Sequence, residues 1–361
     1  MPWQSRLLEQ KCRRTRSHWL SQEITPMPKR TTPEIVTAGL REHRAVQAWL
    51  QVYPGSWEPG HLEVLQGRRT SAVYRLNQIK HGERVIAKRC RTATARIERM
   101  IYQTLLPLTG LPALACYGLL EEPGGEFCWL FLEDAAGSRY SPLLPDHRAL
   151  AGGWLAEIQL ATGSADLKSS LPERELDEHR QLLRACQAML LDRLSRALLS
   201  SEDAAMLRNL AAHMDVLESH WSEIEEICDL MPRSLVHGDF VIRNLRIRDT
   251  LTGPALLVFD WEFAGWGLPA TDLAQFVDRV ASPDLSLYCS ILQREHPHLS
   301  LSDIQAAAAC GNLLRLVNQI SWATADQESV PPTQLTKAIA LLRCYEPTLT
   351  AALSAFRRSR A

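Results

Sequence analysis

Between His61 and Asp134 apolar and polar side chains alternate in short runs, and beyond Asp134 the spacing of apolar positions lengthens to three and four residues. The stretch "HLEVLQGRRTSAVYRLNQIKHGERVIAKRC" has a period near two, with a His81-Gly82 turn between two strand-like segments, which predicts antiparallel pairing. "ATARIERMIYQTLLPL" then places Ile97, Met100, Ile101 and Leu105 on one helical face, and Pro107 is expected to end that helix. "ALACYGLLEE" and "FCWLFLED" follow as two further strands around the turn Pro123-Gly124-Gly125. Residues 61–134 therefore read as strand, strand, strand, helix, strand, strand. Ahead of them, "PEIVTAGLREHRAVQAWLQV" at 33–52 has a loosely helical pattern opened by Pro33, and "YPGSWEPG" breaks it.

Past Asp134 the pattern predicts long Leu- and Ala-rich helices at 147–162, 173–199, 203–229, 301–322 and 333–356. One segment interrupts them, "LVHGDFVIRNLRIRDTLTGPALLVFDWEF". Its apolar positions Leu245, Ile247 and Ala255 to Phe259 suggest two short strands around the turn "TLTGP". The expected organisation is a basic, disordered arm over 1–32, a small mixed lobe over 33–134 and a large helical lobe with an inserted hairpin over 135–361.

Composition narrows the class. Hydrophobic residues make up 46% of the 361 and charged residues 22%, ordinary for a folded chain, and a formal net charge of -1 argues against nucleic acid as a global electrostatic partner. Nine cysteines are scattered singly with no C-x-x-C, which suggests free thiols in a reducing compartment rather than zinc or a disulfide framework. The most apolar run, "IQAAAACGNLLRLV", is cut by Asn312 and Arg315, so no membrane span is expected. Seven Lys or Arg stand in the first thirty residues without an apolar core, unlike a secretory signal. A cytoplasmic monomer or weak dimer, with neither membrane nor nucleic acid as partner, is the expectation.

The chemistry concentrates around the interruption. His237-Gly238-Asp239 alone is a weak signal, since a turn aspartate is usually a cap or an Asx-turn. Asn244 follows five residues after Asp239, and Asp260 ends the second hairpin strand ahead of Trp261 and Glu262. A hairpin returns the chain to near where it left, so two carboxylates and an amide converge at one end of a two-stranded ribbon. Hard oxygen ligands of this kind suit Mg²⁺, which completes its shell with water and phosphate.

"HGDFVIRN" followed by "LLVFDWEFAGWGLPATDLA" resembles the aminoglycoside phosphotransferase and choline kinase family, small-molecule kinases with the protein-kinase fold. That family's pattern is His-Gly-Asp, four variable residues, Asn, an apolar strand ending in Asp-Trp-Glu or a variant, then Gly-x-Pro and Asp-Leu-Ala, and all of it occurs here in order. The resemblance implies an α+β bilobal fold, with a small antiparallel N-lobe sheet carrying one helix and a mainly helical C-lobe. It also implies transfer of the γ-phosphate of ATP, or of GTP, to a hydroxyl of a small molecule with Mg²⁺.

In that reading Asp239 accepts the hydroxyl proton or orients the hydroxyl for attack. Asn244 and Asp260 hold the metal, with Glu262 as a candidate second contact. Lys88, in "RVIAKRC", meets the nucleotide phosphates and Glu98 is its carboxylate partner. Gly67, Thr70 and Ser71 belong to the phosphate-covering loop, which has one glycine where protein kinases have three, and Glu133 closes the segment whose backbone meets the adenine edge. His237 and Gly238 shape the turn, and Asp272 in "PATDLAQF" braces the catalytic loop from the start of a helix; a helix N-terminal carboxylate without that bond is the plainer reading. Arg243 departs from the small or acidic residue many relatives carry before the Asn. It either meets the γ-phosphate or an anionic substrate group, or faces outward.

The acceptor is not legible. Tyr140, Trp266, Trp322 and the acids Glu223, Glu225 and Glu226 are aromatic and acidic candidates for its pocket, yet glutamates on one helix face more often meet solvent. A catalytically silent kinase-fold module that binds a nucleotide or a partner is the rival reading. A protein kinase would need an activation segment ending in Ala-Pro-Glu, for which "EFAGWGLPATDLA" is too short.

Overall fold

The computed structural model describes residues 34–55, 58–67, 71–77, 83–163, 168–196, 199–325 and 332–360. The basic arm, Thr70 and the His81-Gly82 turn lie outside the described residues. The chain forms two compact units, one made of the described residues up to Ala95 with Cys116–Asp134, the other of Arg96–Ala115 with the chain from Ala135 onward.

The first unit is a six-stranded antiparallel sheet. Its strands are β1 (Glu34–Val36), β2 (His61–Gly67), β3 (Ala72–Asn77), β4 (Val85–Arg91), β5 (Cys116–Glu121) and β6 (Phe127–Glu133), in the order β1-β2-β3-β4-β6-β5. Helix α1 (Arg44–Val52) covers one face. It buries Ala45, Val46, Ala48 and Trp49 against Leu62, Leu76, Ala87, Trp129 and Phe131. The period-two pleat then fixes Lys88: Ala87 faces α1, so Lys88 points to the opposite face, flanked by its cross-strand partners Val73 and Leu130. The expected helix over 33–52 is therefore corrected. Its first residues form β1, because Ile35-Val36 is a β-branched pair that extends the sheet edge against Leu62–Val64.

Helix α2 (Thr92–Met100) runs on through a π turn at Ile101–Leu105 into a last short turn, Leu106–Thr109, closed by the left-handed Gly110. Pro107 does not end the helix. It stands in the first turn of the new register, where a missing N–H leaves no hydrogen bond unmade.

The second unit is mainly helical: α3 (Pro145–Gly163), α4 (Leu176–Arg196), α5 (Ser201–Ser219), α6 (Trp221–Asp229), α7 (Leu285–Leu292), α8 (Leu301–Ala325) and α9 (Pro332–Arg360). The single helix expected over 203–229 breaks at His220, whose ring Nδ1 donates to the Glu223 carboxylate at 2.8 Å. α7 falls where no helix was expected. Short strands β7 (Ser138–Arg139), β8 (Glu173–Arg174), β9 (Ser234–Val236), β10 (Leu245–Thr250), β11 (Gly253–Val258) and β12 (Gly265–Gly267) form two small sheets, β11-β10-β7 and β8-β12-β9. The β10-β11 hairpin pairs Leu245 with Val258 through Thr250 with Gly253, as the "TLTGP" turn predicts. No described helix is long and apolar enough to cross a membrane.

Candidate active site

Strand β9 delivers the chain into His237-Gly238-Asp239. Gly238 has φ +73°, and a Cβ there would lie 2.4 Å from the carbonyl oxygen of Phe263, so only glycine both adopts the turn and fits beneath that backbone. The turn is braced from below: the Asp272 carboxylate accepts the His237 N–H at 2.7 Å and the Gly238 N–H at 3.0 Å. Burial pushes the Asp272 carboxyl up to about 7, while the two donated N–H groups pull the other way. Asp272 stands at the end of a 3₁₀ turn, Pro269–Thr271, rather than at the start of an α-helix; the next helix is α7.

His237 ties this turn to the hairpin. Its Nδ1 accepts the Asp239 N–H at 3.2 Å, which leaves the proton on Nε2 to be donated to the Phe259 carbonyl at 3.1 Å. Burial lowers its pKa, in keeping with a neutral ring, and the nearby negative charges of Asp239 and Asp260 both oppose that shift. Asp260 is the next residue after Phe259, whose carbonyl His237 holds. On the other side of the ribbon the Asn244 carbonyl accepts the Phe259 N–H at 3.1 Å, adding one rung beyond the Leu245–Val258 pair. Asp260 follows at φ +68°, a left-handed conformation that costs a non-glycine residue about 1–3 kcal/mol. Trp261 anchors it: the indole is 1% exposed, with its ring centroid 4.7 Å from that of His237 and 5.9 Å from that of Trp154.

Asp239 is 2% exposed. The Asn244 side-chain amide donates to its backbone carbonyl and to Oδ2, both at 3.0 Å, which commits the amide nitrogen and leaves the oxygen as the atom able to meet a cation. The segment 279–281 clips the loop, through Ile242 N–H to the Arg279 carbonyl at 2.9 Å and a bridge between Val241 and Val280.

A family model for the APH phosphotransferase enzyme family matches residues 61–300, about two thirds of the chain and all of this loop-and-hairpin arrangement. The chain belongs to that family. Solved structures agree on the fold. The GDP complex of wild-type aminoglycoside 2'-phosphotransferase-IIIa aligns over 83% of this chain and 97% of its own, with TM-score 0.58 and 12% identity. A Plasmodium vivax ethanolamine kinase aligns over 82% and 84%, with TM-score 0.53 and 13% identity. An aminoglycoside phosphotransferase from Alicyclobacillus acidocaldarius aligns over 81% and 91%, with TM-score 0.51 and 15% identity. No curated protein sequence matches the chain significantly. This APH-family enzyme thus has the antiparallel-sheet N-lobe and helical C-lobe of its kinase-like relatives.

The other expected site residues fall as follows. Lys88 is buried on β4 and Glu98 is fully buried on α2. Gly67 ends β2, Ser71 accepts a long hydrogen bond from Gln66 at 3.5 Å, and Glu133 ends β6 opposite Val85. Glu262 is exposed, two residues past Asp260, and among the described residues no group of three or more acidic, His or Cys side chains is placed to hold a metal. Tyr140 is withdrawn from any acceptor pocket, since it is 2% exposed and its hydroxyl donates to the Ala281 carbonyl at 2.9 Å. Glu223 and Glu225 are likewise occupied, with His220 at 2.8 Å and Arg180 at 3.8 Å.

One residue escaped the motif reading. Arg315, in the middle of α8, is 1% exposed; its Nη1 lies 2.8 Å from Asp239 Oδ1 and its Nη2 3.2 Å from Asp278 Oδ2. The approach to Oδ1 is close but lies off the hydrogen-bond line. Gly311, one turn earlier on the same face, lets α8 come this near: a Cβ there would sit 1.8 Å from the Ala270 carbonyl oxygen, in the turn that carries Asp272. The signal was present in the sequence, as a lone guanidinium inside "AACGNLLRLVNQI", and a charge in such a run needs a buried partner.

Proposed function

We propose that this enzyme transfers the γ-phosphate of ATP or GTP to a hydroxyl of a small molecule. What supports the reading is the Asn244 amide bonded to Asp239 Oδ2, together with the Phe259 rung onto Asn244 that brings the chain to Asp260 at the same end of the hairpin. In this reading Asp239 accepts or orients the acceptor hydroxyl, and Lys88 neutralises phosphate charge. His237 and Asp272 keep the loop in shape without touching the reactants.

A divalent cation such as Mg²⁺ fits the donor set. The Asn244 amide nitrogen is engaged by Asp239, so its oxygen serves the cation, and Asp260 supplies a carboxylate at the ribbon end. When bound, the metal would neutralise charge on the transferring phosphate. Glu262 is the candidate for a further contact, made directly or through water.

A nucleotide-binding module without transfer has one observation in its favour: both oxygens of Asp239 are engaged by guanidinium groups, which covers the carboxylate that chemistry needs. The test is a phosphate-transfer screen of the purified protein with MgATP and MgGTP over amino sugars, macrolides, choline analogues, sugars and homoserine. Transfer to one class supports the proposal; nucleotide binding with no transfer to any of them supports the silent module.

A further inference from the structure

The two arginines on Asp239 differ in one respect that assigns them different work. Arg315 is held at both ends, by Asp239 and by Asp278, and its side chain is 2% exposed. Arg243 reaches Asp239 Oδ2 at 2.6 Å from the start of the hairpin, and its side chain is 57% exposed. Together they close the carboxylate: Oδ1 lies buried behind Arg315, and Oδ2 is shared between Asn244 and Arg243. A hydroxyl can reach Oδ2 only if the exposed partner moves aside.

Such a move is inexpensive here for a physical reason. Stripping the sole partner from a buried carboxylate leaves an uncompensated charge, which is strongly unfavourable. Asp239 keeps Arg315 and Asn244 when Arg243 departs, so its charge stays neutralised. Arg243, in turn, swings on a long stem that is already half in solvent, and it seeks another oxyanion to pair with.

We propose that Arg243 is an exchangeable anion-binding residue. It covers Asp239 Oδ2 in this structure and hands its guanidinium to an oxyanion on a bound reactant, thereby uncovering Oδ2 for the acceptor hydroxyl. This rests on the function proposed above. The oxyanion is either the terminal phosphate of the nucleoside triphosphate or an acidic group on the acceptor, and the two sources are separable by experiment.

The test compares the full-length protein with Arg243→Ala and Arg243→Lys. Affinities for MgATP and MgADP are measured by titration calorimetry, and KM values for hydroxy-acid and neutral polyol acceptors by phosphate transfer. If the terminal phosphate takes Arg243, the alanine variant loses about tenfold or more in affinity for MgATP and keeps its affinity for MgADP, with Lys partly restoring the difference. If an acidic acceptor takes it, the ATP-to-ADP ratio is unchanged, while KM for hydroxy acids rises about tenfold and KM for neutral polyols does not. Binding of both nucleotides with the same ratio in all three proteins, together with unchanged KM values, overturns the role of Arg243 and leaves the proposed function standing. Failure of the wild-type protein to bind either nucleotide overturns both.

Discussion

Replacing Arg315 by Met keeps an unbranched apolar stem and removes the guanidinium, so most of the cost reports the buried ion pair. Deleting one partner of a fully buried pair costs about 3–5 kcal/mol when the other is left alone. Asp239 is not left alone: Arg243 still touches Oδ2 at 2.6 Å and Asn244 at 3.0 Å, and Asp278, with a side chain 14% exposed, can be rehydrated. The expected destabilisation is therefore about 2–3 kcal/mol, set by the desolvated Oδ1 that loses its cation. Urea unfolding of the helical unit, followed through the buried Trp154, Trp221 and Trp261, measures it. A double-mutant cycle with Asp239→Asn isolates the pair, and a coupling of about 1.5 kcal/mol or more is expected. A coupling below about 0.5 kcal/mol would mean that Arg315 matters only as packing, and the assignment of α8 to the site would be wrong.

Other expectations follow from the brace and the turn. Gly238→Ala should destabilise the protein by more than about 2 kcal/mol and abolish transfer, because the left-handed turn and the Phe263 carbonyl 2.4 Å from the new Cβ act together; a wild-type melting curve would contradict this. Asp272 gives a pH signature. Its folded carboxyl, near 7, lies above the ordinary 3.8, so the folded state holds the proton more tightly than the unfolded one. The stability it contributes is present below about pH 4 and is lost as pH rises to about 7, so the advantage of wild type over Asp272→Asn in urea unfolding should shrink across that window. An advantage that grows with pH would show instead that the two N–H donors outweigh burial.

Much of the fold was legible because its signals are local. Period-two alternation gave β2, β3 and β4, and the turn residues gave β5, β6 and the β10-β11 hairpin. The misses come from long-range contacts. β1 exists because β2 offers an edge, the helix after β4 passes Pro107 because a π turn resets its register, and the irregular segment before α7 is held by Gln275, whose N–H donates to the Asn312 side chain at 2.6 Å. At the site, the residues near Asp239 in sequence were readable as a motif. Arg315, 76 residues further on, was not, since only tertiary packing brings α8 against the loop.

Magnesium-dependent transfer of labelled γ-phosphate from ATP or GTP, compared between wild type, Asp239→Asn and Asp260→Asn, tests the central claim most directly, with melting curves confirming that each variant is folded. The account predicts turnover by the wild type, a loss of about a hundredfold or more in Asp239→Asn, and a raised magnesium requirement in Asp260→Asn. Turnover in folded Asp239→Asn equal to that of the wild type would contradict it.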